Sequence, residues 1–162
     1  MTQTDHQDDQ QQDQPRPQHR MPADVDRATA EAVGRLTEAL ETVERARGHL
    51  YTFHQLTGTA DFQISDAADQ LREAGHTDLA DEIERDLVGR NVLPGRWTFQ
   101  VMEDYDDTYW SFFRDLERRT REELTHGRRH LYEASLKEER RTQGHPDHSA
   151  TPDSPGREAN ER

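Results

Sequence analysis

The chain has 162 residues, 30% of them hydrophobic and 34% charged, with a net charge of −13 and no cysteine. That length suits one ordinary domain, and the missing cysteines exclude disulfides, thiolate metal ligands and cysteine nucleophiles. An acidic chain repels phosphate backbones and anionic lipid, and no run approaches the ~18 apolar residues of a membrane span, so nucleic acid and membrane are poor partners.

Residues 1–23 hold seven glutamines and, beyond Met1 and Met21, one apolar side chain, Ala23. Such a segment cannot bury enough surface to offset the entropy of ordering, and it reads as a disordered, acidic, glutamine-rich tail. No apolar signal-peptide core opens it, so a cytoplasmic location is expected. The folded part is expected to span 24–141.

Asp24 or Asp26 suits the cap of a first helix over about 24–57. Its seam alternates by four and three: Val25, Thr29, Ala32, Leu36, Ala39, Val43, Ala46, Leu50, Phe53 and Thr57. Alanines at three successive d-like positions of that seam, Ala32, Ala39 and Ala46, imply close approach of another helix. Gly58 is expected to stop the helix as its first left-handed residue.

Two short helices come next, over about 61–74 and 78–88, closed by Gly75 and Gly89, with Thr77 as the cap of the second. Neither would stand alone at that length. Pro94-Gly95 then suits the centre of a type II turn. Thr98 is the expected cap of a last helix over 98–141, a rod of roughly 65 Å. Its stripe is aromatic up to Leu116 and narrow beyond, where Leu116, Leu124, Leu131 and Leu136 form a seam one helix wide. Residues 142–162, rich in proline, glycine and polar groups, read as a second disordered tail. The expected fold is all-α: an elongated bundle of two long antiparallel helices plus two short ones, with disordered termini.

Among polar features, Glu103-Asp104-Tyr105-Asp106-Asp107 is the most concentrated. Hard divalent cations prefer oxygen ligands, so Glu103, Asp106 and Asp107, with Glu41 and Glu44 from the first helix, compose a possible Mg²⁺ or Mn²⁺ set. The plainer reading is acid near the positive end of a helix dipole. Glu41-Thr-Val-Glu44 and Glu103-Asp-Tyr-Asp106 resemble in type the paired motifs of all-helical nucleotide pyrophosphohydrolases. That resemblance would imply Mg²⁺ and a triphosphate substrate. The interval between the pairs is far longer than in that family, and Arg47-Gly48-His49 stands where its lysine is expected.

Helical di-iron proteins need two Glu-x-x-His motifs. Glu123-Leu-Thr-His126 and Glu73-Ala-Gly-His76 match, but the second contains a helix-ending glycine. His49, His54, His126 and His130 read as partly solvated flanking groups. The arginines of 114–141 alternate with acids at helix-pair spacing, and the segment's net charge is only +2. No P-loop, dinucleotide turn or nucleophile elbow occurs.

Three segments, ERARGHLYTFHQLTG (44–58), GRNVLPGRWTFQVMEDYDD (89–107) and GRRHLYEASLKEERR (127–141), resemble an all-helical family of high-GC Gram-positive bacteria with no assigned activity. The resemblance covers about 30–145, implies a cytosolic protein and adds no activity. The sequence thus favours a non-catalytic helical interaction or scaffold protein without cofactor. It would meet a protein partner or a second copy through Leu116, Leu124, Leu131 and Leu136. The alternative is the metal-dependent hydrolase using the paired carboxylates.

Overall fold

The computed structural model describes residues 13–151; the outer parts of both expected tails, 1–12 and 152–162, lie outside the described residues. The described chain is all-α, with no strand beyond an isolated two-residue bridge, and none of its helices is long and apolar enough to cross a membrane. The main helices are α1 (Arg27–Glu73), α2 (Thr77–Asp86), α3 (Thr98–Tyr105), α4 (Ser111–Thr125) and α5 (Leu131–Arg140). A π-helical segment, Asp106–Trp110, joins α3 to α4 without a break. Two compact units share these elements: unit 1 is built from 13–38 and 117–151, unit 2 from 39–116.

The start of α1 agrees closely with the sequence pattern. Asp26 Oδ1 accepts from Thr29 N–H at 2.6 Å, satisfying one of the orphan donors of the first turn. Val25 before the cap and Ala30 four residues into the helix are both buried together, the arrangement of a hydrophobic staple.

The expected stop at Gly58 does not occur, and the two predicted helices 24–57 and 61–74 are one helix of 47 residues. Gly58 keeps a helical backbone and is absent from the positive-φ glycines. The hydroxyls of Thr57 and Thr59 on either side donate to the carbonyls of Phe53 and Gln55, at 2.8 and 3.0 Å, so they bond back along the helix instead of capping a new one. The partly buried stripe also continues in phase through Ala60, Ile64 and the fully buried Ala68.

Gly75 is the true terminator: its φ is +91°, and His76 N–H reaches back to Leu71 C=O at 2.8 Å, the long bond of a Schellman motif. Arg72, one turn earlier, bridges to Asp81 (2.9 Å) and Glu84 (2.8 Å) of α2.

The loop from α2 to α3 turns at Pro94-Gly95, with Arg96 N–H donating to Leu93 C=O at 3.0 Å and Gly95 at φ +72°. The cap of α3 is one residue earlier than expected. Trp97 holds that position, and the Gln100 side chain accepts Trp97 N–H at 3.0 Å. Thr98 is occupied elsewhere, its hydroxyl 2.7 Å from His54 Nδ1.

The expected rod over 98–141 ends at Thr125. His126, Gly127 and His130 all adopt left-handed φ values of 52°, 72° and 58°, which no helix continues through. Arg121 Nη1 donates to Gly127 C=O at 2.6 Å, and the buried Thr125 hydroxyl donates to Arg121 C=O at 2.8 Å. The chain restarts as α5, whose first residue, Leu131, packs with Val25 and Ala30, with Met21 against them. The predicted pair of long antiparallel helices is therefore one long helix, α1, with shorter partners.

Unit 1 also uses the inner ends of the predicted tails. The Arg141 side chain, 1% exposed, binds Glu138 (2.7 Å) and Asp13 (2.7 Å), while Arg128 donates to the carbonyls of Pro17 (3.2 Å) and Arg20 (2.7 Å). Asp13 is held below the ordinary carboxylate range, chiefly by that guanidinium. Glu117, almost completely buried, accepts from Arg121 Nε and the Thr37 hydroxyl, each at 3.0 Å.

Candidate functional site

Unit 2 is organised around one polar knot on the π-helical segment. The Arg47 guanidinium grips Asp106 with two parallel bonds, Nε to Oδ1 and Nη2 to Oδ2, each 2.7 Å. The fork of a guanidinium matches a carboxylate in this way, and such bidentate pairs are the stronger ones. The Tyr51 hydroxyl donates to Asp106 Oδ2 at 2.9 Å and accepts from Arg47 Nη2 at 2.9 Å. Arg47 lies 4.3 Å from the Trp110 ring centre, Arg114 stands 4.7 Å from the same ring, and Trp110 Nε1 donates to Glu44 at 2.8 Å.

These contacts set the electrostatics. Arg47 holds the Asp106 carboxyl below its usual range, against a smaller opposing effect of burial. Asp106 in turn pushes the Tyr51 phenol up, as donating to a carboxylate favours the protonated form. Burial pushes the Tyr105 phenol up.

This arrangement decides where the candidate metal ligands stand. Asp106 is taken by Arg47 and Tyr51, and Glu44 by Trp110. Asp104 pairs with Arg96 at 2.6 Å. Glu41, Glu103 and Asp107 are exposed. Among the described residues no group of three or more histidines and carboxylates is placed to hold a metal ion. The structure thus brings Asp106 and Glu44 to one locality but turns both toward cationic or N–H donors.

In the sequence, Arg47 stands out only as the residue near which a lysine is expected. Its spacing to Tyr51, one helical turn, is the local signal of the knot. Its partner Asp106 is 59 residues away and gives none.

On the same helical run, part of the aromatic stripe, Tyr109 and Phe112, stays at the surface. Tyr105 and Tyr109 meet at a tilt, 5.5 Å between ring centres, and Tyr109 meets Phe113 edge-on at 6.1 Å. Tyr109 is 52% exposed and Phe112 64% exposed, with Leu116 also exposed one turn on. The i, i+3, i+7 spacing of Tyr109, Phe112 and Leu116 makes a continuous apolar ridge. By contrast, the hydrophobic side chains classed as fully buried in unit 2 are two alanines, Ala68 and Ala80.

A separate groove of about 480 Å³ lies between α1 and the α2–α3 loop, lined by Gly58, Ile64, Leu87, Val92 and Trp97, with Asp61 at its polar edge. Asp61 is already engaged, accepting Gly89 N–H at 2.8 Å.

The four leucines expected to form one docking seam divide. Leu116 and Leu124 are exposed, Leu136 is half-buried, and Leu131 is 4% exposed inside the core of unit 1. Leu131 is therefore no surface residue, because the break at 126–130 turns α5 back onto Val25 and Ala30. His126 Nε2 stands 2.9 Å from Asp24. His130 sits in the break.

No protein-family model, curated protein or solved structure matches this chain. The family resemblance of the three segments therefore rests on the sequence alone.

Proposed function

We propose that this chain is a non-catalytic interaction protein that docks through the aromatic ridge of unit 2. The observation that carries this reading is the inversion of burial there. The buried hydrophobic positions are alanines, while Tyr109, Phe112 and Leu116 stand outside. Scattered exposed apolar residues are ordinary, but a contiguous ridge of two rings and a leucine is the kind of surface that a partner covers. Aromatic residues also dominate interface energies, since a rigid ring buries a large area at small entropic cost.

The polar knot supports this role. By fixing Trp110 between Arg47 and Arg114, it holds the π-helical turn, which sets the direction in which Tyr109 and Phe112 project. The hydrolase alternative needs Glu41, Glu44, Glu103 and Asp106 to converge with free oxygens, and two of these are engaged otherwise.

Photo-crosslinking tests the reading. A benzoyl-phenylalanine placed at Phe112 of the full chain, in cells that carry the gene, is expected to give a discrete protein adduct on illumination. The same group at the exposed Glu82 of α2 is expected to give none. Absence of an adduct at 112, or equal labelling at both positions, contradicts the reading.

A further inference from the structure

We infer that the groove between α1 and the α2–α3 loop is a binding site for a free apolar α-amino acid. It is built from residues other than those of the docking ridge, and it lies wholly within unit 2. Its volume of about 480 Å³ falls in the range of small-molecule sites. Ile64, Leu87, Val92 and Trp97 give it an apolar lining. Leu87 and Trp97 are exposed, so a ligand that covers them removes apolar surface from water.

Two charged groups in the same lining set the selectivity. Asp61 is half-buried and accepts Gly89 N–H through Oδ1, while its Oδ2 has no partner among the described residues. A carboxylate drawn partly out of water is stabilised by a cation, and none pairs with this one. Arg90, the residue after Gly89, lines the groove as well. Its Nη1 donates to the Asp86 carbonyl at 3.2 Å. No carboxylate pairs with its guanidinium among the described residues; the Asp86 carboxylate is bound to Arg85 at 2.8 Å. The bond from Gly89 to Asp61 holds the stem of Arg90 beside the carboxylate, yet the two side chains form no ion pair with each other.

This pair of unmatched charges chooses the occupant. A neutral apolar molecule leaves both without a partner. A simple ammonium suits Asp61 but meets Arg90, and a simple carboxylate suits Arg90 but meets Asp61. An α-amino acid carries both groups on one carbon. Its ammonium fits the open oxygen of Asp61, its carboxylate the fork of Arg90, and its side chain the apolar lining.

An open groove binds weakly. At the efficiency of ordinary ligands, an amino acid of about a dozen non-hydrogen atoms reaches a dissociation constant on the order of 1 mM. That is the concentration range in which a free amino acid is sensed, not stored.

An NMR titration of the full chain with L-phenylalanine, up to about 20 mM, tests the assignment. The expected result is saturable shifts of the Gly89 and Arg90 amides and of the Trp97 indole. Phenethylammonium and phenylpropionate, which each lack one of the charges, are expected to bind at least about threefold more weakly. Asp61→Asn retains an oxygen for Gly89 N–H and removes the charge; Arg90→Gln retains a donor for the Asp86 carbonyl. Each is expected to keep the fold and to weaken phenylalanine by about threefold or more. No saturable shift at the groove, single-charge analogues as tight as phenylalanine, or unchanged affinity in both variants would each overturn the inference. Crosslinking from position 112 is read on a separate surface, so such a failure leaves the docking reading standing.

Discussion

At the scale of single residues, Asp106 carries more of the structure than its sequence neighbours. Four carboxylates lie in 103–107, and only this one is clamped by a bidentate guanidinium and a phenol together. Asp106→Asn keeps the shape and removes the charge, so the Arg47 guanidinium loses its partner in a half-buried site. Hydrogen bonds to charged groups contribute about 1.5–3 kcal/mol, and partial solvent access lowers the expected loss to about 1–2 kcal/mol in urea denaturation. The lowered carboxyl also sets the pH dependence. Its contribution is complete above the ordinary value of 3.8 and disappears as the pH falls through the lower folded-state value. The stability gap between wild type and Asp106→Asn is therefore expected to be constant from pH 5 to 7 and to close in stronger acid. A gap that instead closes near neutrality would exclude this carboxylate as its source.

At the scale of elements, glycine is where sequence and structure part. Gly58 and Gly75 each follow an apolar stripe and are expected to stop a helix, whereas Gly127 falls inside the expected rod over 98–141. Gly75 and Gly127 take left-handed φ and end helices; Gly58 does not. The difference lies in the residues around each glycine. After Gly75 the chain is satisfied by the Schellman bond from His76, and after Gly127 by Arg121, a contact that spacing alone does not announce. After Gly58 the stripe simply continues to Ala60, Ile64 and Ala68.

The cap at Asp26, the turn at Pro94-Gly95 and the stop at Gly75 are legible because each depends on residues within a few positions. The Arg47–Asp106 knot and the burial of Leu131 are not, since both depend on which helix arrives from far along the chain. Two substitutions test this account. A Cβ at Gly58 meets nothing within 4 Å, so Gly58→Ala is expected to stabilise unit 2 by about 0.5–1 kcal/mol through helix propensity alone. Destabilisation would mean that the helix breaks there. His130 precedes α5 with a left-handed backbone, and asparagine is favoured both there and as a cap. His130→Asn is expected to raise thermal stability slightly, by about 0.5–1 kcal/mol, whereas His130→Ala is not.

At the scale of the whole molecule, the two units differ in what they bury. Unit 1 closes on Val25, Ala30, Val33 and Leu131 and on the satisfied ion pairs of Glu117 and Arg141. In unit 2 the fully buried hydrophobic residues are Ala68 and Ala80, Tyr105, Trp110 and Phe113 are half-buried, and Tyr109 and Phe112 are exposed. Folding and association are therefore expected to be linked in unit 2, since a partner that binds only the folded ridge stabilises it by mass action.

Crosslinking from the ridge reads the central claim most directly. Benzoyl-phenylalanine at Phe112 of the full chain is expected to give a discrete protein adduct in cells, and the adduct is expected to fall several-fold when Leu116→Asp is added on the same ridge. No adduct from position 112, or one that Leu116→Asp leaves unchanged, would contradict the claim that this ridge is where a partner docks.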